Sequence, residues 1–442
     1  MNKEDGKVLS GDEVIIDIDS SQLKSVSEEE LKKYLEGKPD IPKNENDKQE
    51  LMDKSAFLWQ YKPVNDEEPE PFDEYISSHY INGDIRITGA RVRGKKHKHD
   101  GTNCDDWFEY DTVGEWTIAA VSDGAGSKKF SRIGAMVSCK AAIAHMKEEL
   151  EKVDNEIVQK LSLPISDPEF MSGCGCFASI IQDAVIKAYD AVKDAFEDRK
   201  TKYEYLKVID RDMEFKDFSG TLLLSAVIPV MVSEKKEYFV VACQIGDGMI
   251  CSVDRNQPFD KALRLLGEAD SGAYSGETDF LTSESMRKKE NLMGKTKIMR
   301  GASSAVILMT DGVADDYFPN SPQLLRLVLD LELNGVLSSP ATDRSCEEEI
   351  RCKIPEPICY PWVNDNEKMI AVQYASRISD CTGCTIAQMW DDPSLISESS
   401  LCNFEDELPE SEEELLLRWL DNYVERGSFD DRTLLILSVD GK

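Results

Sequence analysis

Residues 115–135 read EWTIAAVSDGAGSKKFSRIGA, and the order of events within them points to the fold. A strand-like apolar run through Ile118, Ala119, Ala120 and Val121 stops on Asp123–Gly124. A short loop follows. From Ser131 to Met146 the apolar residues Ile133, Met136, Ala141 and Ile143 recur at near-helical spacing. Two other apolar runs close on the same dipeptide: CQIGDG at Asp247 and ILMTDG at Asp311.

Working outward, Ile87–Val92 reads as an earlier strand. A second amphipathic helix is expected from Phe177 to about Phe196, with Ile180, Ile181, Ala184, Val185, Ala188 and Val192 on one stripe. Strand-like runs follow at Thr221–Ser233, Glu237–Asp247, a short stretch after the GDG, Ser304–Asp311 and Arg432–Asp440. Strands, then two long helices, then more strands predict an α+β sandwich rather than an alternating βαβ sheet. No internal repeat is visible.

The chain has 442 residues and a formal charge of −33. Such an exterior repels nucleic acid and anionic lipid, so phosphate-neutralising binders of DNA or RNA are a poor expectation. The 41% hydrophobic content is enough for a core. No apolar stretch follows the first residues, and the longest uncharged apolar run, Thr221–Val232, is shorter than the roughly 20 residues a spanning helix needs. A soluble cytoplasmic protein with no membrane partner is expected. Its 12 cysteines are scattered, which suits reduced thiols.

Residues 1–80 hold 21 acidic residues against 10 lysines and no arginine. They read as a flexible acidic extension, with one capped helix at Ser25–Gly37 and linker at Asn65–Glu74; the alternative is a docking segment for a partner, with SAFLWQY (Ser55–Tyr61) as its apolar anchor. Residues 81–442 form the main domain, expanded at about 317–427. That expansion carries Cys346, Cys352, Cys359, Cys381 and Cys384, whose irregular spacing leaves zinc and ordinary thiols both open. Near its end, LLLRWL sits on an expected helix preceded by acids that suit the helix dipole.

Three aspartates at strand ends, with the pairs Asp105–Asp106 and Asp430–Asp431 ahead of further strands, are the chemical signal. One Asp-Gly is ordinarily a turn. Several carboxylates gathered together are costly unless a cation neutralises them. Oxygen donors and only four histidines favour Mg²⁺ or Mn²⁺ over a histidine-bound zinc or iron centre.

VSDGAGSKKFSRIGA, FSGTLLLSAV, CQIGDGMICSV, VILMTDGVADDYF and GSFDDRTLLIL, preceded by NCDDWF, stand in an order and spacing that resemble the type 2C (PPM) metal-dependent protein phosphatases, bacterial-type branch. The resemblance spans roughly residues 81–442. It implies a β-sandwich of two antiparallel sheets flanked by helix pairs. It also implies a protein serine/threonine phosphatase in which a water activated by two metals attacks phosphorus.

Carried over one position at a time, Asp123 would bridge both ions, Gly124 would lend its carbonyl, and Asp311 and Asp430 would complete one shell. Asp105 and Asp106 would hold metal-bound waters, with the register between them open by one residue. Asp123 and Asp106 are the positions turnover would depend on most. Asp247 and Asp315 match a third, weaker ion of many relatives. Ser219, Gly220 and Thr221 resemble the small-residue motif beneath the cleft, and Glu268–Ser285 falls at the variable flap. A phosphorylated protein is the implied substrate and a partner serine/threonine kinase a family expectation.

Two departures stand out. Ala125 replaces the histidine that many eukaryotic relatives carry as general acid. The stretch RVRGKKHKHDGTNCDD is longer and more basic than the family's, offering Arg93, Lys95, Lys96 and His97 as phosphate ligands, with a solvated basic turn as the plainer alternative. Gly-x-Ser-x-Gly is absent, and CGC at Cys174 lacks the cradle of a cysteine phosphatase. The competing functional readings are a catalytically weak regulatory or binding module and a phosphohydrolase acting on small molecules or nucleotides.

Overall fold

The computed structural model describes residues 60–65, 68–206, 211–267, 279–317, 320–333, 335–338, 385–392, 411–422 and 429–439. The expected Ser25–Gly37 helix, most of SAFLWQY, the five cysteines from Cys346 to Cys384 and flap residues 268–278 lie outside them.

Strands β1 (Tyr75–Asn82) and β2 (Ile85–Val92) pair as a hairpin, and a short helix α1 (Lys95–Asp100) follows. β3 (Trp107–Val113) and β4 (Trp116–Ser122) form a second hairpin. Then come α2 (Ser131–Glu151), α3 (Asn155–Lys160) and the long α4 (Pro168–Leu206). β5 (Leu222–Val232), β6 (Lys235–Ile245), β7 (Met249–Val253) and β8 (Leu263–Leu265) succeed them. The rest of the chain adds α5 (Lys289–Lys295), β9 (Thr296–Gly301), β10 (Ala305–Met309), α6 (Asp311–Ala314), α7 (Asn320–Leu333), α8 (Ile386–Asp391), α9 (Glu412–Asn422) and β11 (Arg432–Val439).

The strands make two antiparallel sheets, β1-β2-β11-β10-β7-β8 and β3-β4-β5-β6-β9. The expected α+β sandwich is therefore what forms, with helices outside both sheets. Alternation along β4, β5, β6, β10 and β11 explains why their sequences are almost continuously apolar. Ala119 and Val121 of β4 meet Leu435 and Leu437 of β11 between the sheets. Ile118 and Ala120 face the other way, into a core with Ile133 and Ile143 of α2 and Ile181 and Val185 of α4. Leu434 and Ile436 turn outward to Leu325 of α7, Trp390 of α8 and Trp419 of α9. With both faces buried, the polar half of the period-two pattern is lost.

The N-terminal boundary differs from expectation. Packed chain precedes Ile81: β1 begins at Tyr75, and within Asn65–Glu74, read as linker from its composition, residues 68–74 lie against the domain. Phe72 stacks edge-on against Trp107 at 5.2 Å and its amide donates to Asn103 Oδ1 at 2.9 Å. Glu70 takes a two-point pair from Arg199 at 2.8–2.9 Å, and Arg132 donates to the carbonyls of Pro69 and Glu70. The proline and acid content that suggests a linker here supplies fixed turns and counter-charges. Within the expansion the expected LLLRWL helix is α9, with Glu412, Glu413 and Glu414 in its first turn.

Gly134 lies where α2 crosses the turn before β5. A Cβ there would fall 1.9 Å from the Phe218 carbonyl oxygen, which is backbone and cannot swing aside. Alanine ordinarily favours a helix over glycine by about 0.5–1 kcal/mol. Here overpacking should win, and Gly134→Ala should lose about 1–3 kcal/mol in denaturant titrations. Unchanged or increased stability would show that this crossing is looser than drawn.

Candidate metal centre

The antiparallel registers bring the aspartates together. Ser122 lies opposite Trp107, Leu222 opposite Ile245, and Met309 opposite both Met249 and Leu434. The ends of β4, β6 and β10 thus share one end of the sandwich with the starts of β3, β5, β7 and β11. None of the three Asp-Gly steps is a hairpin turn. Asp123 leads from β4 toward α2, Asp247 crosses from one sheet to the other between β6 and β7, and Asp311 opens α6. One carboxylate oxygen from each of Asp123, Asp247 and Asp311 lies within 4.8 Å of the others.

The backbone beneath is closely fitted. Asp123 donates its amide to Thr221 Oγ1 at 2.9 Å, and its carbonyl accepts the Thr221 amide at 2.8 Å. Gly124 bridges to Gly220, and the Ala125 amide reaches the Ser219 carbonyl at 3.0 Å. The 219–221 stretch therefore sits under the Asp123 loop, as the small-residue motif implies. A side chain at 124 would lie 2.5 Å from the Asp105 carbonyl and 2.8 Å from Ser131, so only glycine allows that approach. The loop between β6 and β7 is held by Gln244, whose Nε2 donates to the Gly248 carbonyl at 2.6 Å.

Asp106 is buried. Its Oδ2 accepts from Thr310 Oγ1 at 2.8 Å and Thr433 Oγ1 at 2.7 Å. Its Oδ1 is buried with no hydrogen-bond partner among the described residues. The two threonines each neighbour an aspartate motif, in MTDG and DDRT, and hold each other through the Thr433 amide and Thr310 Oγ1 at 3.0 Å. Sequence reasoning did not single them out, although a hydroxyl adjoining a strand-end aspartate is the signal that marks both.

Crowding sets the electrostatics. Burial, then the charges of Asp311, Asp106, Asp430 and Asp247, push the Asp123 carboxyl well above the usual carboxylate range. Burial and then Asp430, Asp247, Asp315 and Asp106 do the same to Asp311. Asp105 and Asp106 are each raised to about 7. Burial leads in both, opposed by the His97 and Arg132 charges at Asp105 and by the two threonine hydrogen bonds at Asp106. Asp315 lies exposed beyond α6 and Asp430 is 62% exposed at its side chain. Converging oxygen donors, buried carboxyls that resist ionisation and the unsatisfied Asp106 Oδ1 all fit a hard divalent cation.

The basic stretch is not a solvated turn. Arg93 is fully buried, paired with Glu74 at 2.6 Å and donating to the carbonyls of Lys62 and His97. Lys95 is buried, and burial followed by the Arg432 charge drives its pKa well down. Lys96 is exposed. His97 is buried, with Nδ1 2.9 Å from Asp431 Oδ2 and Nε2 3.9 Å from Asp430 Oδ1. Burial lowers the His97 pKa, but Asp431 and Asp430 outweigh it and raise the ring to about 10. Lys98 closes on Asp421 at 2.6 Å. Arg93 and Lys95 thus have internal surroundings, Lys96 faces solvent, and His97 joins the aspartate end of the sandwich.

The protein phosphatase 2C family model matches residues 93–335, and the chain belongs to that family. Similar solved structures include RsbX in complex with magnesium, 10% identical over 83% of this chain and 100% of that one, with a TM-score of 0.34. A phosphatase from Toxoplasma gondii is 11% identical over 83% and 96% of the two chains, with a TM-score of 0.39. The serine/threonine phosphatase Stp1 from Staphylococcus aureus is 10% identical over 86% and 99%, with a TM-score of 0.33. No curated protein matches. Among the described residues no helix is long and apolar enough to cross a membrane.

Raised carboxyl pKa values carry a sign. The folded state keeps protons that the unfolded chain releases above about pH 4, so metal-free stability should fall as pH rises from about 4 through the folded values near 7. The raised His97 acts in the same direction between its unfolded value near 6.5 and about 10. Asp431 and Asp421, lowered in the fold, matter only below about pH 4. In chelator the melting temperature should drop between about pH 5 and 8, and Mn²⁺ should raise it more at the higher pH. A flat or rising profile in chelator would contradict this electrostatic picture.

Proposed function

We propose that the chain hydrolyses phosphoserine and phosphothreonine in protein substrates, using two divalent cations held at the aspartate cluster. The observation that carries this reading is the convergence of Asp123, Asp247 and Asp311 within 4.8 Å, in surroundings that disfavour the ionised forms of Asp123 and Asp311. Asp123, the Gly124 carbonyl, Asp311 and Asp430 would hold the two ions, Mg²⁺ or Mn²⁺, and Asp247 with Asp315 a weaker third. Bound cations neutralise the carboxylates, acidify water and offset charge on the phosphoryl oxygens.

The chain's own part is placement. Thr221 fixes the Asp123 backbone on both its amide and its carbonyl. Thr310 and Thr433 occupy Asp106 Oδ2, leaving Oδ1 to accept a hydrogen bond from the attacking water and aim it at phosphorus. Attack is in line with the departing serine or threonine alcohol. Ala125 supplies no proton to that alcohol. The Arg93 guanidinium would have to leave Glu74 to meet phosphate, so charge neutralisation at the aspartate cluster carries most of substrate capture.

Cysteine chemistry finds no support. Burial pushes the Cys174 and Cys176 thiols up, away from the thiolate a nucleophile requires. We take a phosphorylated protein as the substrate and a partner kinase as the source of its phosphate, and a phosphopeptide panel tests the substrate class against nucleotides and small phosphate esters. Asp123→Asn should lower Mn²⁺-dependent phosphopeptide turnover by about a hundredfold or more while the circular dichroism spectrum stays native. Full activity in that variant would remove Asp123 from the site, and turnover of nucleotides alone would reassign the substrate class.

A further inference from the structure

The most completely held carboxylate at this end of the sandwich belongs to Asp431, which the sequence reading gave no ligand role. It is 2% exposed, against 62% for the side chain of its neighbour Asp430. Its Oδ1 accepts the Gly94 amide at 2.6 Å, and its Oδ2 accepts the Asp105 amide at 2.5 Å and faces His97 Nδ1 at 2.9 Å. Its own amide donates to Asp430 Oδ1 at 2.9 Å. Its carbonyl oxygen lies 2.1 Å from where a Cβ on Gly312 would stand, directly beside Asp311. One residue therefore joins the start of β11 to both ends of the β2–β3 connection and to the opening of α6.

His97 is the side-chain member of this knot. Its ring comes from α1, the helix that the basic stretch builds into the β2–β3 connection. Nε2 reaches toward Asp430 Oδ1 at 3.9 Å and stands 3.7 Å from the Cβ position of Gly126, in the loop after Asp123. The imidazole thus spans the gap between the Asp430–Asp431 turn and the Asp123–Gly126 loop. A ring needed only to fill that space would be apolar, because burying an imidazole against a carboxylate carries a desolvation cost. What the polar ring adds is a polar contact with Asp431, 2.9 Å from its Oδ2, that no apolar ring could make.

We infer that His97 is a positioning residue for the metal centre: through Asp431 it fixes where Asp430 and Asp105 stand around the cation. This rests on the proposed function. It gives the basic stretch a role distinct from phosphate capture, with His97 acting through a carboxylate and touching neither phosphate nor metal. Groups that orient metal ligands in this way ordinarily control affinity by about 10–100-fold.

The test uses the full-length protein, titrated calorimetrically with Mn²⁺ without substrate, alongside melting in chelator. His97→Ala should weaken Mn²⁺ binding by about tenfold or more, with kcat at saturating Mn²⁺ within a few-fold of wild type. His97→Asn keeps an amide N–H near the place of Nδ1 and should recover most of the affinity, whereas His97→Gln, whose amide sits near Nε2, should recover less. If His97→Ala does not fold, the Asn–Gln pair still decides. Wild-type Mn²⁺ affinity in His97→Ala, or equal affinity in the Asn and Gln variants, overturns the inference. So does unchanged affinity with a large fall in kcat, which would place His97 on the substrate. A wild-type protein that binds no Mn²⁺ overturns the reading of the site itself.

Discussion

Everything at the working end of this molecule answers to the repulsion among carboxylates at the edges of two sheets. Asp105 with Asp106, Asp123, Asp247, Asp311 and Asp430 come from five different strand ends, and sheet register brings them together. Like charges this close in a low-dielectric setting cannot all remain ionised without compensation. The fold supports the arrangement because the strands are pinned from both faces. Displacing Asp123 or Asp311 would mean moving β4 or β10 through cores that include Ile118, Ala119, Ile307 and Leu308.

The chain meets that repulsion in two different ways. Asp431 is neutralised from within: despite burial, which alone would raise it, the His97 charge and the Gly94 and Asp105 amides hold its carboxyl below the usual range. Asp123 and Asp311 receive no comparable help and are pushed in the opposite direction. Adjacent carboxylates with opposed environments divide the labour. A charge satisfied by donors becomes scaffold, and charges left crowded become a demand for a cation. Asp106 lies between the two states, with one oxygen held by threonines and the other unsatisfied.

The sandwich was legible because β4, β5, β6, β10 and β11 bury both their faces, leaving long apolar runs, and because α4 carries an unbroken stripe from Ile180 to Val192. The aspartates were legible because each ends or opens such a run. What composition concealed depends on tertiary partners. Asn65–Glu74 has the proline and acid content of a linker, and only Arg132, Arg199 and Trp107, far away in sequence, make it a strap. The basic stretch reads as phosphate ligands, or as a solvated turn, because nothing local shows that Glu74, Asp421 and Asp431 await its cations. Asp431 was hidden behind Asp430, since adjacent identical residues carry no mark of which faces inward.

The same partners change what the net charge of −33 means. An acidic exterior suggests surplus carboxylates facing solvent, and much of the chain's acid does lie in residues 1–80. Yet Glu70 engages Arg199 and Tyr203, Glu74 engages Arg93, Asp421 engages Lys98 and Asp431 engages His97. These acids neutralise buried or half-buried cations, tying the segment before β1 to α4 and to the end of β2, α9 to α1, and the start of β11 to α1. Their charge is spent within the fold. At the strand ends the Asp123 and Asp311 carboxyls are instead crowded by other carboxylates and pushed up, and under the proposed function a divalent cation would relieve that crowding.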